Sequence, residues 1–590
     1  MPGLSDTIMD DAPILAAENL VKSFNGSRTR ALDGVSFAIR HGAVTGLVGP
    51  DGAGKTTLMR LAAGLLVPDA GAIHALGLDS TRDSLAVQAA LGYMPQRFGL
   101  YEDLTVLENL DLYADLQGVP EPERPKRYQE LMRMTGLAAF THRLAGHLSG
   151  GMKQKLGLAC TLVRAPRLLL LDEPTVGVDP VSRRELWAII DRLVREQGMS
   201  VLISTAYLDE AERCHDVILM HEGKVLMQGA PGDLSAPLAG RTWAVTVTGI
   251  RLRDVQAGLT GQSGIVDAQV QGDHVRLVTE QAVTPGELSR LPGLTGARIF
   301  AVAPRFEDGF VDLLRARTGA SIHGSTLINS RLPGAGHDGP VIQVEGLRRS
   351  FGDFRAVDGV SFQVHRGEIF GLLGANGAGK STTFRMLCGL LPASAGSLRV
   401  AGLDLRFAAS TARARIGYMS QKFSLYGNLS VAQNLVFFAS AYGLSGRARE
   451  ARLNWALTEF ELEIYAGQLS GNLSLGYKQR LAMACALMHQ PEILFLDEPT
   501  SGVDPLARRE FWQRINALAR GGVTVLITTH FMEEAEYCDR LAIMASGRIL
   551  AIDEPAAIKA RARTADNPEP SMEDAFIYLV EDAAKVREAA

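Results

Sequence analysis

Two glycine-rich loops, each ending in a lysine and a hydroxyl residue, carry the strongest chemical signal in this sequence. Both have the spacing Gly-x4-Gly-Lys-Ser/Thr, and each lies between an apolar run and a segment with helical periodicity. In that context backbone N–H groups and a helix N-terminus surround phosphate oxygens, the lysine reaches the β and γ phosphates, and the hydroxyl binds Mg²⁺. The sequence therefore predicts two nucleotide-binding loops. The loop residues are Gly49, Pro50, Asp51, Gly52, Ala53, Gly54, Lys55, Thr56 and Thr57, and Gly374, Ala375, Asn376, Gly377, Ala378, Gly379, Lys380, Ser381 and Thr382.

The two loops belong to an internal duplication. Lys55 and Lys380 are 325 positions apart, and Cys160 and Cys485 have the same separation. The run Asp-Gly-Val-Ser-Phe, present at 33–37 and again at 358–362, keeps this offset. Similarity at one fixed offset is the signature of a repeated domain. We therefore expect two copies of one α/β domain.

The composition is typical of a globular protein of several domains. The chain has 590 residues, of which 46% are hydrophobic and 21% charged, and its net charge is −5. These values exclude disordered and fibrous classes and give no overall attraction to nucleic acid. The N-terminus lacks the features of a signal peptide, and no run of 18 apolar residues is present, so we expect a cytoplasmic protein. The five cysteines include no Cys-x-x-Cys pair and are expected to be buried free thiols.

A glutamine and a helix start follow each predicted loop. Gln96 and Gln421 each come directly after a short strand-like run. The pattern Ser/Thr-x-x-Glu/Gln that begins at Thr105 and at Ser430 predicts a capping box at a helix N-terminus. The copies therefore agree in local structure as well as in their loops.

Further along, each copy has a serine–glycine segment and a pair of carboxylates. The segments read Leu-Ser-Gly-Gly at 148–151 and Leu-Ser-Leu-Gly at 473–476, and apolar strands then end in Asp172-Glu173 and Asp497-Glu498. Because buried carboxylates are costly without a cation, each acidic pair indicates a metal-dependent site.

The segment between the copies has no phosphate loop. Its strand-like runs and a closing helix at 307–315 predict a small α/β appendage, and the Gly-, Ser- and Pro-rich stretch after it predicts a flexible linker. The C-terminus repeats the Glu-Asp-x-Phe pattern of that helix at 573–576, which indicates that the second copy kept the helix and lost most of the appendage. The predicted boundaries are 12–235 for the first copy, 240–318 for the appendage, 319–339 for the linker, 340–558 for the second copy and 559–590 for a tail with a short helix.

The order of these features, found twice, resembles the ATP-binding cassette (ABC) transporter ATPases. The resemblance implies an α/β fold with two P-loop NTPase domains, each with an antiparallel β layer and a helical subdomain, plus the small α/β appendage. It also implies that the chain binds and hydrolyses ATP with Mg²⁺.

The resemblance assigns roles residue by residue. Phe24 and Phe351 match the aromatic residue that stacks on adenine, although each side chain also suits a strand core. Glu173 and Glu498 match the base that polarises the attacking water, and His530 matches the switch histidine. The Mg²⁺ ligands by the same match are Thr56, Gln96, Asp172, Ser381, Gln421 and Asp497. The residues that face the γ-phosphate of the opposite cassette are Ser149, Gly150, Gly151, Ser474 and Gly476. The aspartates that match the contact between cassettes are Asp179 and Asp504.

Two positions depart from the family pattern. Ala206 stands where the second copy has His530, and Leu475 stands where the first copy has Gly150. In this family each ATP lies between the phosphate loop of one cassette and the serine–glycine segment of the other. Both departures therefore fall in the site that pairs Lys55 with Ser474, whereas the site that pairs Lys380 with Ser149 is complete. We expect the complete site to hydrolyse ATP and the degenerate site mainly to bind it.

The function implied by the resemblance is the energy-coupling subunit of an exporter. Both cassettes would pair within one chain and act on separate integral membrane permease subunits, two in number, at the inner face of the membrane. In this family, the helical segments that match 97–147 and 422–472 contact the membrane partner. The alternative is that these segments form ordinary solvated surfaces. The appendage resembles that of drug-exporter ATPases of the daunorubicin-resistance kind. The alternative is a tandem cassette protein acting on ribosomes, but the charge-balanced connection differs from the long charged linker of that class.

Overall fold

The computed structural model describes residues 12–24, 30–96, 99–318, 339–421, 425–503 and 505–588. Nearly all of the predicted linker and the first residues of both predicted membrane-contact pieces lie outside these ranges, as does Asp504. The described part of the chain forms two compact units, one drawn from residues 1–237 and 305–310 and one drawn from residues 238–304 and 311–590. Among the described residues, none of the helices combines the length and apolar character that crossing a bilayer requires.

The first unit contains a six-stranded sheet of order β10-β9-β3-β8-β7-β6 and a four-stranded sheet of order β2-β1-β4-β5. Its strands are β1 (Leu15–Lys22), β2 (Leu32–Ile39), β3 (Val44–Val48), β4 (Ala70–Ala75), β5 (Leu78–Asp79), β6 (Leu91–Met94), β7 (Leu168–Asp172), β8 (Ser200–Thr205), β9 (Asp216–His221) and β10 (Lys224–Gly229). Its helices are α1 (Lys55–Ala62), α2 (Ser84–Ala90), α3 (Val106–Leu116), α4 (Arg124–Thr135), α5 (Gly150–Thr161), α6 (Pro180–Gln197), α7 (Leu208–Ala211) and α8 (Pro231–Ser235).

Strand β3 lies inside the larger sheet, parallel to β8 on one side and β9 on the other. Every residue of β3, β7 and β8 is buried, as the continuous apolar runs of a sheet covered on both faces require. Because parallel strands end at the same edge of a sheet, the glycine loop after β3 and the acidic pair at the end of β7 come to one side.

The smaller sheet is antiparallel, since strand β1 pairs antiparallel with β2 and with β4.

The helical part of each unit carries a predicted capping box. Thr105 accepts a hydrogen bond from the Glu108 N–H while the Glu108 side chain accepts one from the Thr105 N–H, and Ser430 and Gln433 form the same box in the second unit. Both predicted helix starts are confirmed.

The second unit repeats this architecture. Its six-stranded sheet has the order β20-β21-β22-β17-β23-β24 and its antiparallel sheet the order β16-β15-β18-β19, which confirms the α/β fold class with two P-loop domains. The strands are β15 (Ile342–Phe351), β16 (Phe354–Val364), β17 (Ile369–Gly374), β18 (Ala395–Val400), β19 (Leu403–Asp404), β20 (Ile416–Met419), β21 (Ile493–Asp497), β22 (Thr524–Thr529), β23 (Arg540–Ala545) and β24 (Arg548–Asp553). The helices are α12 (Lys380–Leu387), α13 (Leu405–Arg413), α14 (Val431–Ala441), α15 (Gly446–Glu459), α16 (Leu475–Ala486), α17 (Pro505–Arg520), α18 (Met532–Ala535), α19 (Pro555–Ala560) and α20 (Met572–Glu588).

The appendage has a β-α-β-β-α-β order, followed by the closing helix α11 (Phe306–Thr318). Its sheet has the strand order β12-β13-β11-β14, and all neighbours are antiparallel, which is the split βαβ arrangement of ferredoxin-like folds. The elements are β11 (Thr242–Thr246), α9 (Leu252–Leu259), β12 (Ile265–Gln271), β13 (His274–Thr279), α10 (Pro285–Leu288) and β14 (Arg298–Ala301).

The appendage packs against the second cassette, within the same compact unit. Arg509 on α17 forms a buried ion pair with Asp267, and Asn516 Nδ2 donates to Gln256 Oε1 over 2.8 Å. Arg253 pairs with Asp539, directly before β23. The sequence alone did not predict this packing.

Candidate functional site

Glycine is required where each loop meets its helix. Gly54 and Gly379 have φ angles of 101° and 98°, in the left-handed region. A Cβ added there would lie 2.4 Å from the Ala31 carbonyl oxygen and 2.5 Å from the Ala356 carbonyl oxygen, respectively. Both positions therefore exclude side chains, and α1 and α12 begin at the next residue with their N-termini at the loop.

The two loop lysines are buried and held inside the turn that they terminate. Lys55 Nζ donates to the carbonyl oxygens of Gly49 over 2.7 Å and Pro50 over 3.2 Å. Lys380 Nζ makes the same bonds to Gly374 over 2.6 Å and Ala375 over 3.1 Å. A positive charge surrounded by backbone carbonyls at a helix N-terminus is placed to meet the phosphates of a nucleotide.

The aspartates at the ends of β7 and β21 are held by hydroxyl groups. Asp172 Oδ1 accepts from Thr56 Oγ1 over 3.2 Å and from Ser204 Oγ over 2.7 Å, and Asp497 Oδ1 accepts from Thr528 Oγ1 over 2.6 Å. Burial raises the pKa of Asp497, although its hydrogen bond with Thr528 opposes the shift.

These residues fit Mg²⁺. Asp172 Oδ2 is buried and has no hydrogen-bond partner within the described ranges, which leaves a carboxylate oxygen beside the Thr56 hydroxyl. Hard divalent cations prefer such oxygen ligands. Thr56 and Asp172 would hold the ion in the first cassette, and Ser381 and Asp497 hold the matching positions in the second. When bound, Mg²⁺ neutralises charge on the β and γ phosphates.

The glutamate after each aspartate has an unusual backbone and a glutamine partner. Glu173 and Glu498 have φ angles of 51° and 46°, which is rare for residues other than glycine and typical of functional sites. Their N–H groups donate to the carbonyl oxygens of Ser204 and Thr528, over 3.2 and 3.0 Å. These bonds hold the backbone of each glutamate against the neighbouring strand.

Both predicted glutamines reach these glutamates. Gln96 Nε2 donates to Glu173 Oε2 over 2.6 Å, and Gln421 Nε2 donates to Glu498 Oε2 over 2.7 Å. The structure therefore brings glutamine and glutamate together in each cassette. The Mg²⁺ role of the glutamines remains a prediction.

The switch position makes the two cassettes different. His530 Nδ1 lies 3.1 Å from Glu498 Oε2, and both ring nitrogens are buried without a well-aligned hydrogen bond among the residues described. Ala206 at the end of β8 offers no such group.

This difference reverses the pKa shifts of the two glutamates. Burial raises the pKa of Glu173, and the Lys55 charge only partly opposes the shift. Burial acts on Glu498 as well, but the neighbouring His530 imidazole, together with Lys380 and Gln421, outweighs it and lowers the pKa. The neighbours of Glu498 thus stabilise its carboxylate as the anion.

The serine–glycine segments begin α5 and α16. Ser149 caps α5 by accepting from the Met152 N–H over 3.3 Å, whereas Ser474 makes no side-chain cap bond. A Cβ at Gly151 would lie 2.3 Å from Ser182 Oγ, so no larger residue fits there without rearrangement.

Leu475 fills space that is open in the first cassette. A Cβ added at Gly502 would lie 3.2 Å from Leu475 Cδ2, whereas one added at the matching Gly177 would meet no atom within 4 Å. The Leu475 side chain, at the start of α16, therefore lies against Gly502. This glycine comes shortly after the acidic pair at the end of β21.

The aromatic residues predicted to meet adenine are about half exposed. Phe24 is 46% and Phe351 48% exposed, which argues against a strand-core role and leaves a ring face accessible. The Lys22 ammonium lies 5.9 Å from the Phe24 ring centroid, and the Arg349 guanidinium 4.7 Å from that of Phe351. Stacking on adenine remains a prediction.

Sequence reasoning missed two sets of supporting residues. Ser204 and Thr528 hold both the aspartate and the backbone of the glutamate in each cassette. Glu210 and Glu534 are buried behind the switch position and accept from threonine hydroxyls. The signal was available, because both sets recur at one offset around Ala206 and His530.

Comparison with known proteins agrees with this geometry. The family model described as ABC transporter matches residues 32–176 and 357–501. The chain is 51% identical over 576 residues to the probable multidrug ABC transporter ATP-binding protein YbhF of Escherichia coli, covering 97% of this chain and 99% of that protein. The chain belongs to the ABC transporter ATP-binding proteins.

As an ABC ATPase, the chain also resembles other proteins over about two fifths of its length. It is 43% identical over 224 residues to the Nod factor export ATP-binding protein I of Ralstonia nicotianae, covering 38% of this chain and 70% of that protein. A solved ATP-binding subunit of an ABC transporter is 31% identical and covers 41% of this chain and 99% of its own, with a TM-score of 0.38. Family membership makes this chain an ATPase whose two cassettes each carry the loop, the glutamine and the acidic pair.

Proposed function

We propose that this ABC ATPase is the energy-coupling subunit of an exporter of small, drug-like molecules. The observation that carries the proposal is the presence of two loops with buried lysines, each beside an Asp-Glu pair, in a chain that matches a probable multidrug ABC transporter ATP-binding protein along nearly its whole length. ATP binding and hydrolysis would drive closure and reopening of the cassettes.

The permease is supplied by other chains. We infer two separate integral membrane subunits, with this protein bound to them at the cytoplasmic face of the membrane. The relatives named as ATP-binding proteins of transporters support this inference. Closure of the cassettes would then change the conformation of the attached permease.

A membrane capture experiment tests this role. The tagged full-length protein is expressed in the organism from which it comes and recovered from detergent-solubilised membranes. ATP turnover is then measured with and without the proteins that co-purify. We expect integral membrane proteins to co-purify and to alter turnover. Recovery with ribosomes, and no integral membrane protein, would contradict the proposal and favour a function in translation.

We further propose that the two nucleotide sites are unequal and shared between cassettes. The complete site combines Lys380, Glu498 and His530 with the segment that begins at Ser149. The degenerate site combines Lys55, Glu173 and Ala206 with the segment that begins at Ser474. The contrast in pKa between Glu498 and Glu173 supports the assignment of hydrolysis to the complete site.

Matched substitutions in the serine–glycine segments test the crossed pairing. Ser149→Arg places a large side chain at the segment assigned to the complete site, and Ser474→Arg places the same side chain at the degenerate one. We expect Ser149→Arg to abolish most ATP turnover and Ser474→Arg to have a smaller effect. The opposite order would show that each segment serves the loop of its own cassette.

A further inference from the structure

Two buried glutamates recur behind the nucleotide sites. Glu210 is 1% and Glu534 0% exposed, and each lies four residues after the switch position, within the short helices α7 and α18. Neither belongs to the loops, acidic pairs or serine–glycine segments. Because a buried carboxylate is costly unless its oxygens are hydrogen-bonded, their presence in both copies requires a structural reason.

Each of these glutamates joins two threonines from different segments. Glu210 Oε2 accepts from Thr175 Oγ1 over 3.0 Å and from Thr205 Oγ1 over 2.6 Å. In the second cassette, Thr529 Oγ1 donates to Glu534 Oε2 over 2.7 Å and Thr500 donates to Glu534 Oε1. In each cassette one carboxylate thereby links two segments. One is the loop after the acidic strand, β7 or β21, and the other is the end of the neighbouring strand, β8 or β22.

In the second cassette these threonines stand next to the residues assigned to hydrolysis. Thr500 is two residues after Glu498, and Thr529 directly precedes His530. Thr529 Oγ1 also accepts from the Phe531 N–H over 3.0 Å, which fixes the backbone on both sides of the histidine. Movement of either segment would alter the 3.1 Å separation between His530 Nδ1 and Glu498 Oε2.

We propose that Glu534 is a positioning residue for ATP hydrolysis, which holds His530 against Glu498 by tying Thr500 to Thr529. The proposal rests on the proposed assignment of hydrolysis to the second cassette's site. Glu210 makes the equivalent link around Ala206, where no imidazole is present to be positioned. Burial raises the pKa of Glu210 to about 6.

The duplication supplies the matched control. Glu534→Leu and Glu210→Leu each keep a buried side chain of similar size but remove both acceptor oxygens, so each loses both threonine hydrogen bonds. In the full-length protein we expect Glu534→Leu to lower kcat for ATP by about 10-fold with little change in KM. The loss from Glu210→Leu should be at least about fivefold smaller at a comparable fall in thermal stability.

A double-substitution cycle separates positioning from general support of the fold. If Glu534 acts through the histidine, Glu534→Leu should have little further effect on kcat in a His530→Ala background. Multiplied losses in the double variant, or equal losses from Glu534→Leu and Glu210→Leu, would overturn the proposal. Glu498→Gln and Glu173→Gln, measured in parallel, test the inequality of the sites independently. Equal losses from Glu498→Gln and Glu173→Gln would contradict the proposal that the two sites are unequal. The double-substitution cycle would still report whether Glu534 acts through His530.

Discussion

At the residue scale, the two cassettes differ most clearly at the switch position. The loop lysines and the glutamines make matching contacts in both cassettes, with distances that differ by about 0.1 Å. His530 is the exception, because the first cassette has only the methyl group of Ala206. The imidazole offsets the burial of Glu498, whereas Glu173 keeps a raised pKa.

The pKa contrast predicts opposite effects on stability. A carboxyl whose folded pKa is raised destabilises the folded state increasingly as pH rises from its unfolded value through its folded value. Glu173→Gln should therefore raise the melting temperature of the nucleotide-free protein at pH 7.5, and the gain should shrink as pH falls towards 5. Each unit of pKa shift is worth about 1.4 kcal/mol, which is roughly 3–6 °C in a cassette-sized domain.

The matching substitution in the second cassette should behave differently. The lowered pKa of Glu498 contributes stability above the unfolded pKa, and this stability is lost as pH falls through the folded pKa. Glu498→Gln should thus lower the melting temperature at pH 7.5. Differential scanning calorimetry of both variants at several pH values makes the comparison. A lower melting temperature for Glu173→Gln at pH 7.5 would refute the burial argument.

At the element scale, much of the site was predictable because its signals are local. Each of these signals can be recognised within a few residues of sequence. They are a glycine that needs φ near 100°, a capping box and a buried strand that ends in Asp-Glu. The fold class was implied by the family resemblance that the order of these motifs carries. The prediction for the cysteines is confirmed as well, since all five are buried free thiols.

The remaining features depend on contacts between distant segments. Ser204 and Asp172 are far apart in sequence, and their hydrogen bond forms only because β7 and β8 are neighbours. The packing of the appendage on the second cassette likewise depends on side chains from separate elements. The tail helix was expected to be short, but α20 spans Met572–Glu588, and Ser571 and Asp574 form hydrogen bonds at its start.

The contact between appendage and second cassette predicts a large loss of stability. Arg509→Ala removes the cation that pairs with the buried Asp267, and breaking a buried ion pair costs about 3–5 kcal/mol. The control is Arg184→Ala, at the matching position of the first cassette, where the arginine is exposed and a change of about 0.5 kcal/mol or less is expected. Thermal unfolding of both variants measures the difference. Equal melting temperatures would mean that the appendage contact contributes nothing to the stability of its unit.

At the scale of the whole molecule, the chain is a duplication whose copies have diverged at few functional positions. The second cassette has the histidine that the first lacks, and the first has the serine–glycine segment in which the second carries Leu475. Each copy therefore holds one feature that the other has lost. We infer that the chain carries one complete hydrolytic site and one degenerate site that mainly binds ATP.

The most direct test of this inference is ATP turnover by the full-length protein with either glutamate replaced. Glu498→Gln removes the base of the complete site and should lower turnover by about 100-fold or more. Glu173→Gln removes the matching group of the degenerate site and should leave much of the turnover in place. Both variants should still bind ATP. Equal losses from the two substitutions would contradict the account.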